Sequence, residues 1–552
     1  MITFRNKLRI HNKKRIYLAK LKDNIGILCL KDFIILLFII LHIVGCGSSS
    51  EEGVRTFRYR LASDPPTLDP MHTTDYTSST VVLKIFEGLV KTDPETLEIV
   101  PALAERWIVS DDGLTYTFSL KKGIRFHNER AVISADFRYS FERCLIPGNK
   151  SESSWKFASI RGAKDMLDRK SVTLEGMETP DDFTVVFHLN KPFAPFLSYL
   201  TTEAACVVAR EGVNGDKFTP IGTGPYEFLS WDHDIRVRLN ASKNYHGGVI
   251  GIERIDFEIV PDISAAFQKF VTGELDLVND IPQGQLKLVQ ERYPESLYIW
   301  PVLDLEFIGL NQTRPPFKNN PELRRAFCWA VDRERIVENL YEGAGVLPKG
   351  ILPPGYKCRD ETIDGYGYNL EKASELLSRA GYPGGKGLPE LTLWYTGIEM
   401  RPQIAQYVQS TLKKIGVNIR LKSMDFPAFI KAIDTFEPDM FILGWIGDSD
   451  ADSFLYEFLH SSRRGPSGNY TGYSNPEFDR LVDEARISRS PEQRNALYRQ
   501  ADRVATEDAC LIPLHYAKLR MLFNPEYDGL VLPHQGDPNI PLEKLTYRGK
   551  RT

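Results

Sequence analysis

Between Pro321 and Trp445 the apolar residues switch repeatedly between helical spacing and short unbroken runs. Leu323, Phe327, Ala330, Val331, Val337, Leu340 and Tyr341 recur at helical intervals, with Asn320 placed to cap, Pro321 at the first turn and Gly343 past the end, which predicts one helix. A second helix is expected over Leu370 to Ala380, stopped by Gly381 and Pro383. Then come a strand over Leu391 to Tyr395, a helix over Ile404 to Lys414, a strand over Val417 to Leu421, a helix over Ala428 to Ile433 and an apolar strand over Met440 to Trp445. Strands alternating with helices require βαβ units and a parallel sheet, so the chain is of the α/β class. Ligands of open α/β sheets collect beyond the carboxyl ends of the strands. The last of these strands delivers Gly444, Trp445 and Asp448 to that edge.

Residues 91 to 190 read differently. Leu114 to Leu120 alternates with a period of two after an Asp112-Gly113 turn, and Phe183 to Leu189 reads as another strand, which predicts a separate β-rich domain. A length of 552 residues accommodates about three domains at roughly 100 to 200 residues each.

The N-terminus carries charge and then grease. Residues 1 to 32 hold nine Lys/Arg against Asp23 and Asp32, so the net charge of -4 hides a more acidic remainder. An acidic body argues against a nucleic-acid partner. Phe33 to Val44 is uncharged but only twelve residues long, short of the roughly 20 that span a bilayer, and suits the h-region of an export signal. An N-terminal membrane anchor is the competing reading. Of the seven cysteines, Cys29 and Cys46 fall in this region; the other five show no metal-site spacing and are expected to be mostly buried free thiols, with one disulfide possible.

Enzyme motifs fail on inspection. Gly381 to Gly387 lacks phosphate-loop spacing, Ser153-x-x-Lys156 has no Lys-Thr-Gly partner, and neither G-x-S-x-G nor H-E-x-x-H occurs. No catalytic residue, metal site or cofactor is expected.

Several segments carry a resemblance. They are Leu61 to Pro70 (LASDPPTLDP) with Phe86-Glu87-Gly88-Leu89-Val90, Leu103 to Trp107 (LAERW), Tyr116 to His127 (YTFSLKKGIRFH), Ile221 to Tyr226 (IGTGPY), Gly273 to Asp276 (GELD), Leu323 to Phe327 with Ala330 to Arg333, and Gly444 to Asp448 (GWIGD). In that order they resemble the extracytoplasmic solute-binding proteins of ABC importers, in the peptide/nickel-binding class that includes oligopeptide- and dipeptide-binding proteins. Arg125 departs slightly from the pattern.

The resemblance implies a periplasmic-binding-protein-like fold of two lobes closing on ligand, plus the extra β-rich domain. It places a signal peptide at 1–45, a lipidated tether at 46–53, a discontinuous first lobe at 54–90, 191–300 and 516–552, the extra domain at 91–190 and the second lobe at 301–515. Ile43-Val44-Gly45-Cys46 resembles a lipobox, making Cys46 the acylated residue. The implied partners are a peptide ligand, an ABC permease with its ATPases and a membrane reached through the lipid anchor; the implied state is an extracytoplasmic monomer. Relatives on this scaffold also take nickel complexes, haem or oligosaccharides, and a peptide-sensing receptor without transport is a further alternative.

Asp448 falls where dipeptide-binding relatives hold the peptide ammonium, though an Asp after a strand also serves as a helix cap. Arg401 is the candidate for the peptide carboxylate, with an ordinary surface arginine as its alternative. Trp445 either walls the pocket or packs in the core, Gly444 shares its strand, Tyr516 is expected near the return crossing facing the cleft, and Thr77 is expected in the loop before the first helix. Asp448, Asp450 and Asp452 form an acidic cluster read as a solvated or ligand-facing loop.

Overall fold

The structure is a computed structural model that describes residues 55–549 apart from 216, 399 and 467. The export signal, Cys46 and the tether lie outside the described residues.

An eleven-stranded mixed sheet forms the frame. On one side Thr56–Leu61 is flanked in parallel by Arg254–Ile259 and Leu277–Val278, and Arg254–Ile259 continues antiparallel into Arg236–Ala241 and Tyr226–Asp232. On the other side Leu391–Thr396 lies between Ile419–Met424 and Met440–Ile446, parallel to both, with helices Arg401–Lys413 and Phe426–Asp434 as the crossovers. The βαβ expectation is met here. The sheet as a whole is mixed, because Met440–Ile446 pairs antiparallel with the next strand.

Two long strands, Leu297–Leu310 and Leu511–Phe523, join the sides and pair antiparallel with each other. Their register shifts between Pro301 and Leu305 and again between Glu306 and Phe307. Proline has no N–H to give to a ladder, and the register is lost directly after Pro301, which still faces Lys518. Phe57, Tyr59, Phe257 and Trp300 pack on one side of this break; Phe307, Phe441, Phe454 and Tyr516 pack on the other.

A four-stranded antiparallel sheet stands apart, in the order Ala104–Val109, Thr115–Leu120, Thr184–His188, Met177–Asp181. Tyr116, Phe118 and Leu120 alternate inward as the period-two pattern requires. Helix Ser134–Leu145 packs Phe137 and Phe141 into the same core.

One helix expected as continuous is two. Pro321–Ala330 ends at Val331, whose backbone is extended, and Asp332 caps Arg333–Asn339 by accepting the Arg335 N–H at 3.1 Å. A capping aspartate competes with the helix interior, so the apolar rhythm carries on through a break in the backbone. Cys144, Cys206, Cys328, Cys358 and Cys510 are all buried free thiols. No helix among the described residues is long and apolar enough to cross a membrane.

Candidate functional site

The strand Met440–Ile446 leaves the core at its carboxyl end. Met440 to Leu443 are buried, Gly444 and Trp445 are half-buried, and Ile446 is 56 % exposed. The chain then turns at Gly447, whose N–H donates to the Leu303 carbonyl at 2.7 Å. A side chain has no room here: a Cβ would stand 2.3 Å from the Phe454 ring and 2.4 Å from the Tyr356 hydroxyl. Gly447→Ala is therefore expected to cost about 1–3 kcal/mol, the usual penalty of overpacking, read as a lowered urea midpoint with an unchanged slope.

That turn presents Asp448. Its N–H donates to Ser453 Oγ at 3.3 Å, its carbonyl accepts the Tyr356 hydroxyl at 2.7 Å, and its Oδ1 accepts the Asp450 N–H at 3.1 Å. Among the described residues Oδ2 accepts no hydrogen bond. The following single π-helical turn, Ser453–Glu457, is preceded by Asp452, so Asp448 does not cap it. Burial and the Glu457 carboxylate push the Asp448 carboxyl up to about 8, with Lys156 opposing them.

The rest of the acidic cluster is not a solvated loop. Asp450 holds Arg494 through both oxygens at 2.7 and 2.8 Å and accepts the Ser198 hydroxyl at 3.1 Å. Burial raises its carboxyl, but Arg494 and these donors outweigh that and hold it below the usual range. Asp452 is fully buried, accepts the Tyr498 hydroxyl at 2.9 Å and pairs with Arg486 at 3.1 Å. The Tyr199 hydroxyl lies 3.3 Å from Asp452 and 3.0 Å from Glu457. Three acids in alternating positions thus divide the work: Asp450 and Asp452 are neutralised by arginines, and Asp448 is held beside them with a carboxylate oxygen uncommitted.

Trp445 takes a fixed place. Its Nε1 donates to the Ser453 carbonyl at 2.9 Å, and its ring stacks on Phe458 at 4.8 Å and 14°. It is half-buried and packed against Phe458 and Tyr470. Lys156 sits 5.9 Å from the Trp155 and Tyr199 rings, and Arg463 covers the Trp155 ring at 4.5 Å.

Arg401 is not a surface arginine. It is 8 % exposed, and its Nε donates to Glu306 Oε1 at 2.9 Å while Nη1 donates to Thr396 Oγ1 at 3.1 Å. Gly444 pairs with Glu306 in strand register, so Gly444, Glu306 and Arg401 meet at one point. Tyr516 stands on the crossing strand Leu511–Phe523, as expected, but its side chain departs from expectation. It is fully buried, and its hydroxyl donates to the Gly350 carbonyl at 2.8 Å and accepts the Gly350 N–H at 3.2 Å, which gives it a packing role rather than a cleft-facing one. Thr77 is half-buried and lies within helix Tyr76–Ile85, not in the loop before it, with Oγ1 3.2 Å from Ser63 Oγ. The sequence did not single out Glu306, Glu457 or Tyr199, and read Lys156 only as part of a stray enzyme motif. Glu457 closes the π-helical turn that starts five residues beyond Asp448, a kind of turn frequent at functional sites.

The model of the bacterial extracellular solute-binding proteins, family 5 Middle, matches residues 98–466, more than half of the chain. Heme-binding protein A of Haemophilus influenzae is 31 % identical, over 86 % of this chain and 90 % of that protein. The dipeptide-binding protein of Escherichia coli is 26 % identical, over 90 % and 96 % respectively. Among solved structures, the ABC transporter-associated periplasmic binding protein DppA of Helicobacter pylori, in complex with the peptide STSA, superposes with a TM-score of 0.77 at 26 % identity, covering 91 % of this chain and all of that one. With a family model matched over two thirds of its length and a two-lobed fold shared with solved relatives, the chain belongs to the bacterial extracellular solute-binding proteins of family 5.

Proposed function

We propose that this chain is the peptide-binding component of an ABC importer, capturing peptides in an interlobe cleft and handing them to a permease without altering them. Asp448 carries the reading. A carboxyl held near 8 by burial is unstable as an anion in the empty protein and gains most from a ligand ammonium, which replaces lost hydration with a charge-assisted hydrogen bond. Relatives named for dipeptides and di/tripeptides support it, as does a solved relative holding a tetrapeptide.

In this reading Cys46 carries the lipid anchor after removal of residues 1–45, residues 46–53 are the tether, and the mature protein is an extracytoplasmic monomer. The lobes divide as 54–90, 191–300 and 516–552 against 301–515, with 91–190 as the appended domain and the Pro301 break as the hinge. Closure then follows from the ligand's greater affinity for the closed form.

The test is native mass spectrometry of signal-free protein, followed by calorimetric titration with di- to pentapeptide pools, free and N-acetylated. Co-purified peptides and binding lost on acetylation are expected; recovery of a cleaved ligand would contradict transport without chemistry. A second reading is haem capture, favoured by the 31 % identity to heme-binding protein A. A Soret band in the purified protein, with no peptide in the denatured eluate, would decide for it.

A further inference from the structure

This inference rests on the peptide reading and concerns what kind of peptide the site takes. A free peptide brings an ammonium and a carboxylate, and the cation at the Gly444 end of the strand is already engaged. The Arg401 guanidinium is buried and bonded to Glu306 Oε1 at 2.9 Å. Glu306 is itself 6 % exposed, on the crossing strand, with Gly444 as its register neighbour on one side and His515 on the other.

The absent side chain of Gly444 marks where charges converge. A Cβ there would stand 3.5 Å from Arg401 Nη2, 3.5 Å from Asp304 Oδ1 and 3.8 Å from Glu306 Oε2. Two carboxylates thus meet one guanidinium. His515 adds no cation, since burial pushes its imidazole down toward the neutral form and the Tyr341 ring packs 4.0 Å from it. At the Asp448 end, Lys156 and Arg463 act on Glu457, and the Asp448 carboxyl, raised to about 8, is mostly neutral at pH 7 until a cation reaches it. The excess of carboxylate over cation therefore lies at the Gly444 end, where Asp304 and Glu306 stand beside Arg401.

We propose that Glu306 withholds Arg401 from the ligand carboxylate, so that the site selects its peptide by positive charge, requiring the α-ammonium, favouring a basic side chain and dispensing with the C-terminal carboxylate. A dipeptide trap that grips both ends discriminates against peptide amides. This one does not.

The experiment titrates the protein with a lysine-containing tripeptide as free acid, C-terminal amide and N-acetylated acid at one ionic strength, and repeats this with Glu306→Gln. The wild type is expected to bind acid and amide within about tenfold, the equivalent of 1.4 kcal/mol, and to reject the acetylated form. Glu306→Gln, by removing the carboxylate bonded to Nε, is expected to shift the acid-to-amide ratio toward the acid by about tenfold or more. A wild type that prefers the acid by more than that overturns the inference, as does equal binding of the acetylated peptide. Failure of both acid and amide to bind removes the peptide reading itself. The wild-type ratio decides the matter even where Glu306→Gln does not fold.

Discussion

Asp448→Asn is expected to abolish peptide capture while stabilising the empty protein above neutral pH. Removing one partner of a desolvated, hydrogen-bonded charge pair costs about 2–5 kcal/mol of binding, so affinity falls by a factor of roughly 30 to several thousand. Stability moves the other way. The folded carboxyl sits at about 8, above the roughly 4 of an unfolded aspartate, so protonation favours the fold. Its contribution is complete below about pH 4 and is lost as pH rises through 8, whereas an asparagine loses nothing. Thermal unfolding should therefore find variant and wild type alike at pH 4 and the variant more stable at pH 8.5. An unchanged difference across that range would remove the account. The same shift predicts that a peptide binding at pH 7 expels a proton, seen as a binding heat that depends on the ionisation enthalpy of the buffer.

Arg494→Met is the second large effect, and it acts on the fold. Arg494 neutralises Asp450 through two hydrogen bonds, and leaving that carboxylate buried without a partner costs about 3–5 kcal/mol. The Asp450 carboxyl is held low in the folded protein, so the pair's stabilisation is present above the unfolded value of about 4 and fades as pH falls below it. The deficit of the variant, measured as a urea midpoint, is expected to be large at pH 7.5 and smaller at about pH 3, below the unfolded carboxylate value. Adding Asp450→Asn should recover most of it at pH 7.5. A variant as stable as wild type at pH 7.5 would show that the ion pair holds nothing.

What the sequence disclosed follows from how local each signal is. The crossovers between Leu391 and Ile446 are local, and their alternation was visible within a few residues at each boundary. The position of Asp448 beyond a strand end was legible because its strand and turn are contiguous. Tyr516 was misplaced because its environment is set by Gly350, 166 residues away. Glu306 was missed for the same reason: nothing near it in sequence announces Arg401, which reaches it across 95 residues. The fate of the acidic cluster also lay beyond local reading, since Arg486 and Arg494 arrive from the end of one helix and the start of the next.

The two long crossing strands carry a consequence for the order of events during synthesis. Leu511–Phe523 is laid between Leu277–Val278 and Leu297–Leu310, in the middle of the sheet. Tyr59, on the first strand, donates its hydroxyl to Asp537, 478 residues later. The frame sheet therefore stays open in its middle until Leu511–Phe523 has been synthesised, long after the four-stranded sheet between Ala104 and His188 has all of its strands, and pairing across such separations is intrinsically slow.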